Sequence, residues 1–580
     1  MMGGKATLVL LALVGALVAV LYFTDRKPPA KESNEVSALD GHSLTDAVGM
    51  RWQFEGRPAV ELSRGEDGLF RVSEPIVDRA SPGYLQQIVA AWDSAQLRRT
   101  PLADDEDGRR KAGLMPPALT FRATWPGGVE VNLEVGAPGP LGNGRFMRRD
   151  GVIWEGGEGL LTSLEVGLDD LRDRSVFRNE AQTCRELEVT QKLPTGKAET
   201  IKLVRKGLAW RLEQPVAGRA DADVATSFVT AVLALRVGEF IHGMIRLPER
   251  EPEIVIAARG GLGDERIQLW LQEGQVFGVL PDRGGIAFTS DNRQYTQIFV
   301  NATERIRARI LVPLRNVAED LGEIVVDASG GQGDRLRLTR ASSAEEWRLA
   351  EPIEFATHPT PVNELVQAIN NLHAREFVDG KDSSDPAFGL GQGRLVVDVR
   401  GFRGEKATLW LGNEVHRGED SFVYACRADE PGTVVLVPAP PVDQLRRPFT
   451  EYCNRDVVRI GAVVERLELQ SRAGQVLVFK NDGDNWVKEG DVEPRNELGG
   501  FVNDVLRDLR AQRVVDLRDG RFGDPDWLLS LRRANGDSFV ELRVWDRSKA
   551  APLVVQPKGG KAVGFELSDF VAKSLRELWQ

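Results

Sequence analysis

One pattern limits what this chain can fold into: an apolar line with spacings of four, three and five residues occurs four times. It runs through Leu85, Val89, Trp92 and Leu97, and again through Phe228, Val232, Leu235 and Phe240. The third copy is Leu365, Ile369, Leu372 and Phe377, and the fourth is Val502, Leu506, Leu509 and Val514. Spacings of four and three place side chains on one face of a helix, so each copy predicts an amphipathic helix. An aromatic residue precedes each helix at Phe70, Trp210, Trp347 and Trp486, in steps of 140, 137 and 139 residues. In the first three copies a proline follows five residues later, at Pro75, Pro215 and Pro352. Self-similarity at a fixed period marks a repeat array.

Alternating apolar segments flank each helix. Before the first come Trp52 with Phe54, Val60 with Leu62, and Phe70 with Val72, a meander whose last two strands meet at a turn from Arg64 to Gly68. Ser81 and Pro82 form a helix start, with serine as cap and proline at the first helical position. Segments 119–125 and 129–135 follow as strands, then a Gly-rich hairpin at 142–144 and a closing helical segment to about Phe177. Strands at 187–189, 201–204, 210–212, 254–257 and 267–271 repeat the plan. The third copy has them at 324–326, 336–338, 395–399 and 407–411, and the fourth at 467–469, 476–479, 528–531 and 539–544. Strands on both sides of one helix predict an α+β fold: four tandem repeats, each an antiparallel sheet with a packed amphipathic helix. The boundaries expected are 48–178, 179–318, 319–455 and 456–580.

Ahead of the array, after a tail of residues 1–5, residues 6–23 carry no charge. Eighteen helical residues span about 27 Å, close to the roughly 30 Å of a bilayer core. The expectation is an N-terminal transmembrane helix serving as anchor, with 24–47 as linker; no small residues mark a cleavage site in the LYFTDRK that ends the run. Only Lys5 precedes the segment while Arg26, Lys27 and Lys31 follow it, so loop charge alone leaves the topology open. The usual arrangement of such an anchor places the large C-terminal part outside the cytoplasm, at a bacterial inner membrane.

A net charge of −11 over 580 residues, with arginines interleaved among acids, argues against a nucleic-acid surface. No Walker loop is present, so no nucleotide is expected on this chain. Catalytic, cofactor-binding and metal-binding residues are all expected to be none. His42, His242, His358, His373 and His416 show no ligand spacing. Asp104, Asp105, Glu106 and Asp107 lack the alternation of a calcium loop and read as a solvated loop. Gly389, Gly391 and Gly393 precede a strand, where a turn fits better than a phosphate cradle. Cys184, Cys426 and Cys453 read as buried thiols, with Cys426 and Cys453 the one pair falling in a single repeat. The strand-ending aromatics fit the interface of helix and sheet; a ligand platform is the other use of an aromatic face.

The segments 68–75 (GLFRVSEP), 208–215 (LAWRLEQP), 346–352 (EWRLAEP) and 170–177 (DLRDRSVF), with the N-terminal apolar run, resemble a bacterial family known as domain of unknown function 4340. The fourth copy departs from the pattern at Gly490, with its proline displaced to Pro494. The resemblance implies a single-span envelope protein, often encoded beside gliding-motility-type ABC transporter components, with no catalytic residues to carry over. Two functions follow as expectations. One is a non-enzymatic, membrane-anchored scaffold or auxiliary protein for an ABC transporter permease and ATPase complex. The other is an envelope-polysaccharide binding protein or hydrolase with its site between repeats.

Overall fold

The computed structural model describes residues 34–579, apart from 140–143, 158–159, 161–165, 193–195, 244–245, 329–332, 392–393, 484 and 549–550. The anchor expected at 6–23 lies outside these residues. Among the described residues no helix is long and apolar enough to cross a membrane.

The described residues divide into two compact units, those up to 205 with 226–302, and 206–225 with those from 303 onward. In the first unit a ten-stranded sheet begins as a meander, Gly49–Phe54, Val60–Arg64, Phe70–Glu74 and Asp78–Arg79. The helix Pro82–Asp93 follows, and a second meander, Leu119–Thr124, Glu130–Pro138, Gly144–Arg149 and Val152–Gly157, joins the first where Trp52 pairs with Phe121. Gln96–Arg99, directly after the helix, crosses to the far side and lies between Val152–Gly157 and the edge strand Glu35–Ser37. The second unit builds the same order into a nine-stranded sheet around the helix Pro359–Asn370, with Glu376–Val378 as its returning strand. An eight-stranded sheet closes with Arg513–Asp516 in that role. A further module starts in the first unit with Cys184–Lys192 and Ala198–Lys206, paired to a meander that begins at Ile254–Gly260.

The α+β expectation is corrected to a mainly antiparallel-sheet protein, 43% strand and 20% helix. Every expected strand lies within or overlaps an observed one, but many strands carry no alternation to read. Gln275–Leu280 and Val434–Pro438 are buried almost throughout, so their sequences are plain apolar runs. The returning strand Glu239–Phe240 has two residues, too short for any period. The regular helix is also missing from the last sheet, where Asn496–Gly500 runs into a π-helical turn over Phe501–Leu506.

The helices Pro82–Asp93, Ala222–Leu233 and Pro359–Asn370, each after a meander, share one start. Ser81 Oγ accepts from the Tyr84 amide, an Asp221 carboxylate oxygen from the Val224 amide, and His358 Nδ1 from the Thr360 amide. Each cap satisfies an N–H that the first helical turn leaves without a partner. Aligning the caps shifts the first copy of the apolar line by three residues. Its buried members are Ile88, Trp92 and Ala95, while Leu85 and Val89 are only partly buried. Trp92 stacks on Phe121 with ring centroids 4.2 Å apart, which seats the helix on the sheet.

Candidate functional site

The expected site residues disperse into structural roles. Trp210, Trp347 and Trp486 are 3%, 8% and 2% exposed, so these rings pack and offer no open platform. Strands end at Glu74, Gln214 and Glu351, immediately before Pro75, Pro215 and Pro352, and all three proline peptide bonds are cis. His42 packs against Trp125, His242 Nε2 lies 2.9 Å from Asp169, and His416 Nδ1 lies 2.8 Å from Ser421 Oγ. His373 forms an isolated bridge with Ile310. No group of three potential metal ligands occurs among the described residues. Gly389 takes φ +65° at the end of a short 3-10 helix, Pro386–Phe388, in keeping with a turn. All three cysteines are free and buried, and burial pushes their thiols up, to about 11 for Cys184 and Cys426 and about 12 for Cys453.

The acidic run at 104–107 is not a solvated loop. Asp105 caps the helix Glu106–Lys111 through the Gly108 amide, and Glu106 and Asp107 pair with Arg110 and Lys111 one turn on. Acids in the first turn and bases in the last were the signal for this helix. Asp104, its side chain 12% exposed, accepts from Arg109 Nε and from Arg148 Nε at 2.8 Å. Those two hydrogen bonds hold its carboxyl at about 2, below the ordinary 3.8. A carboxyl depressed on folding stabilises the fold above its unfolded pKa and loses that contribution as pH falls through the folded one. Asp104→Asn should therefore cost about 1–2 kcal/mol at neutral pH and only about a few tenths of a kcal/mol near pH 2. Urea midpoints measured across pH 2–7 check this, and parallel profiles for both proteins would count against it.

What recurs is a set of arginines where modules meet. In the first unit Asp78, its side chain fully buried, accepts from Arg172 Nε at 2.8 Å and Arg283 Nη2 at 2.6 Å. Arg172 also stacks 3.4 Å over the Phe240 ring. Arg79 reaches Glu265 at 3.3 Å and the Val176 carbonyl at 2.9 Å. In the second unit Arg307 stacks 3.6 Å over Phe377 and pairs with Asp379, while Arg219 reaches Glu430 at 2.9 Å. Arg79 and Arg219 occupy equivalent places, each two residues before a helix cap. Burial lowers the pKa of both, and a neighbouring arginine, Arg283 or Arg427, lowers it further.

Beside this junction in the first unit lies a cavity of about 850 Å³, lined among others by Phe70, Arg71, Arg79, Arg178, Arg236 and Leu262. A smaller recess of about 360 Å³ shares Arg71, Arg79, Arg178 and Leu262 with it. Arg71 is bonded to Asp67 through both terminal nitrogens, at 3.0 and 2.6 Å. The lining of the larger cavity also includes the hydroxyl residues Ser175 and Thr230 and the acids Asp173 and Glu180.

Fold and site together define a protein of antiparallel-sheet modules with arginine–carboxylate ties inside each of its two units. The chain belongs to the family described as domain of unknown function (DUF4340), whose profile matches residues 72–253 and 347–526. Each match runs from one module's meander into the next module, so the family unit occurs twice and straddles the four-copy pattern. No curated protein matches the chain.

Proposed function

We propose that this chain is a non-enzymatic scaffold of the bacterial cell envelope, held at the inner membrane by residues 6–23. Its modules lie on the extracytoplasmic side and are presented to an ABC-type permease and ATPase complex. The observation that supports this reading is the repeated tie, Arg79 with Glu265 and Arg219 with Glu430, which fixes successive modules as a scaffold requires. The outward sheet faces agree with it. Glu186 bonds Lys202 and Arg259 across three strands, and Glu323 does the same with Arg337 and Arg400. Exposed ladders of this kind add little stability and keep a broad face soluble. Mild detergent extraction at native expression should recover a permease and an ATPase with the chain; recovery of the chain alone overturns the proposal.

The cavity beside the first junction favours a second reading, binding of an envelope polysaccharide between modules. Binding or turnover across a panel of cell-wall glycans supports it, and inactivity across the panel removes it.

A further inference from the structure

The geometry points to the 850 Å³ cavity of the first unit as the docking site for a partner protein's extended segment that carries an aspartate or glutamate beside an aliphatic side chain. This rests on the scaffold reading and names the chemistry its partner must offer.

Three observations carry it. Large aliphatic side chains are exposed together here. Leu69 and Leu262, at 51% and 47% exposure, line the cavity, and Val77, at 76%, lines the adjoining recess beside Leu262. Such side chains scattered singly need no explanation, but a contiguous patch rimmed by charge marks an interaction surface. The cavity is also lined by more bases than acids on a chain whose net charge is −11: Arg71, Arg79, Arg178 and Arg236 stand with Asp173 and Glu180, Arg71 being held by Asp67 and Arg79 by Glu265. Arginine forks are suited to carboxylates, which they grip through two parallel bonds.

The third observation is a carboxylate already held at the rim. Asp67 takes both terminal nitrogens of Arg71 and the Leu69 amide, and these bonds, with the charge of Arg178, keep its carboxyl below the ordinary range. Asp67 shows what the arginines bind, and an incoming acid would compete with it for Arg71. The most exposed carbon here is aliphatic and the Phe70 ring has Arg64 4.6 Å over it, which matches peptide side chains better than sugar rings stacked on open aromatic faces.

The test selects random twelve-residue peptides displayed on phage against the full chain in detergent, then measures individual peptides by fluorescence anisotropy. Enriched sequences should pair Asp or Glu with Leu, Ile or Val. Binding should weaken about tenfold in Arg178→Glu and in Leu262→Asp, and again on raising the salt. Asp67→Asn keeps the turn and frees Arg71, so it should tighten binding about threefold or more. Thermal midpoints of these exposed variants, unchanged within a few degrees, exclude misfolding. No enrichment, enrichment without acids, binding indifferent to Arg178→Glu, or selective capture of acidic oligosaccharides instead of peptides overturns the inference. Co-purification of a permease and ATPase that survives Arg178→Glu sinks this cavity and leaves the scaffold reading standing. Peptide binding without any co-purified complex does the reverse.

Discussion

Asp78→Ala is expected to destabilise the first unit by about 3–5 kcal/mol, the usual cost of removing one partner from a buried ion pair. The carboxylate is completely buried, and the guanidiniums on either side of it, Arg172 and Arg283, are 2% and 7% exposed. Without Asp78 two cations remain in a site with little access to water. Arg172 keeps Asp169 at 3.1 Å and the Phe240 face, and Arg283 keeps the carbonyls of Ser175 and Asp173. Those contacts are too few to replace a doubly bonded carboxylate. Replacing all three charges together, Asp78→Leu with Arg172→Met and Arg283→Met, should recover much of the loss, because an apolar set of similar volume needs no desolvated ions. Urea unfolding, with hydrogen exchange at residues 78–80 reporting on this unit, separates the outcomes. A single variant within 1 kcal/mol of wild type would mean that the cluster is hydrated and ties nothing.

The chain itself contains the apolar solution. Carbonyls of Leu171, Ile306 and Tyr452 accept from the cap residues Ser81, Asp221 and His358, which aligns Arg172, Arg307 and Cys453. Opposite them, at the second position of each returning strand, stand Phe240, Phe377 and Val514. The last junction thus exchanges a stacked arginine for a buried thiol. One apolar core then runs from Leu311 to Leu578 through both sheets. This gives Cys453 a packing role, in keeping with a thiol that burial holds protonated.

This alignment also explains what could be read before the fold was known. The helix phase was legible because Leu365, Ile369 and Leu372 each bury against one sheet face, and a 3.6-residue period follows from that geometry. In the first copy Leu85 and Val89 fit the same spacing although Ile88 and Trp92 are the buried pair; spacing alone cannot choose between two apolar lines on one helix. The serine cap could have chosen, since it fixes where the helix starts. The cavity had no sequence signal. Phe70 and Leu69 meet Arg178 and Leu262 only because the hairpin of one module folds beside the loops of the next. Arg172 and Phe240 are likewise 68 positions apart, and each looks ordinary in its own segment.

Trp347→Ala is expected to cost the second unit about 3–5 kcal/mol, the range for truncating a large buried aromatic. The ring is 8% exposed and belongs to the core that continues into the final sheet, and its open side is covered by Arg340, 4.7 Å above the ring. Its backbone is fixed too, since Thr357 Oγ1 donates to the Trp347 carbonyl at 2.6 Å. The indole therefore holds the strand Arg348–Glu351 and the turn into the helix Pro359–Asn370 in one place. A cavity there should loosen more than its own module, because the core has no break between the third and fourth sheets. Hydrogen exchange should accelerate in residues 348–351 and also in 485–488, the corresponding strand of the last sheet. Arg340→Ala removes the cover together with the guanidinium's bonds to the Leu321 and Ala318 carbonyls, and should cost about 1–3 kcal/mol, less than Trp347→Ala. Calorimetry should assign the loss to the transition that contains residues 303–580, since two units need not unfold as one. An unchanged midpoint for Trp347→Ala would mean that the ring contributes nothing to packing, and would return it to use as a ligand platform.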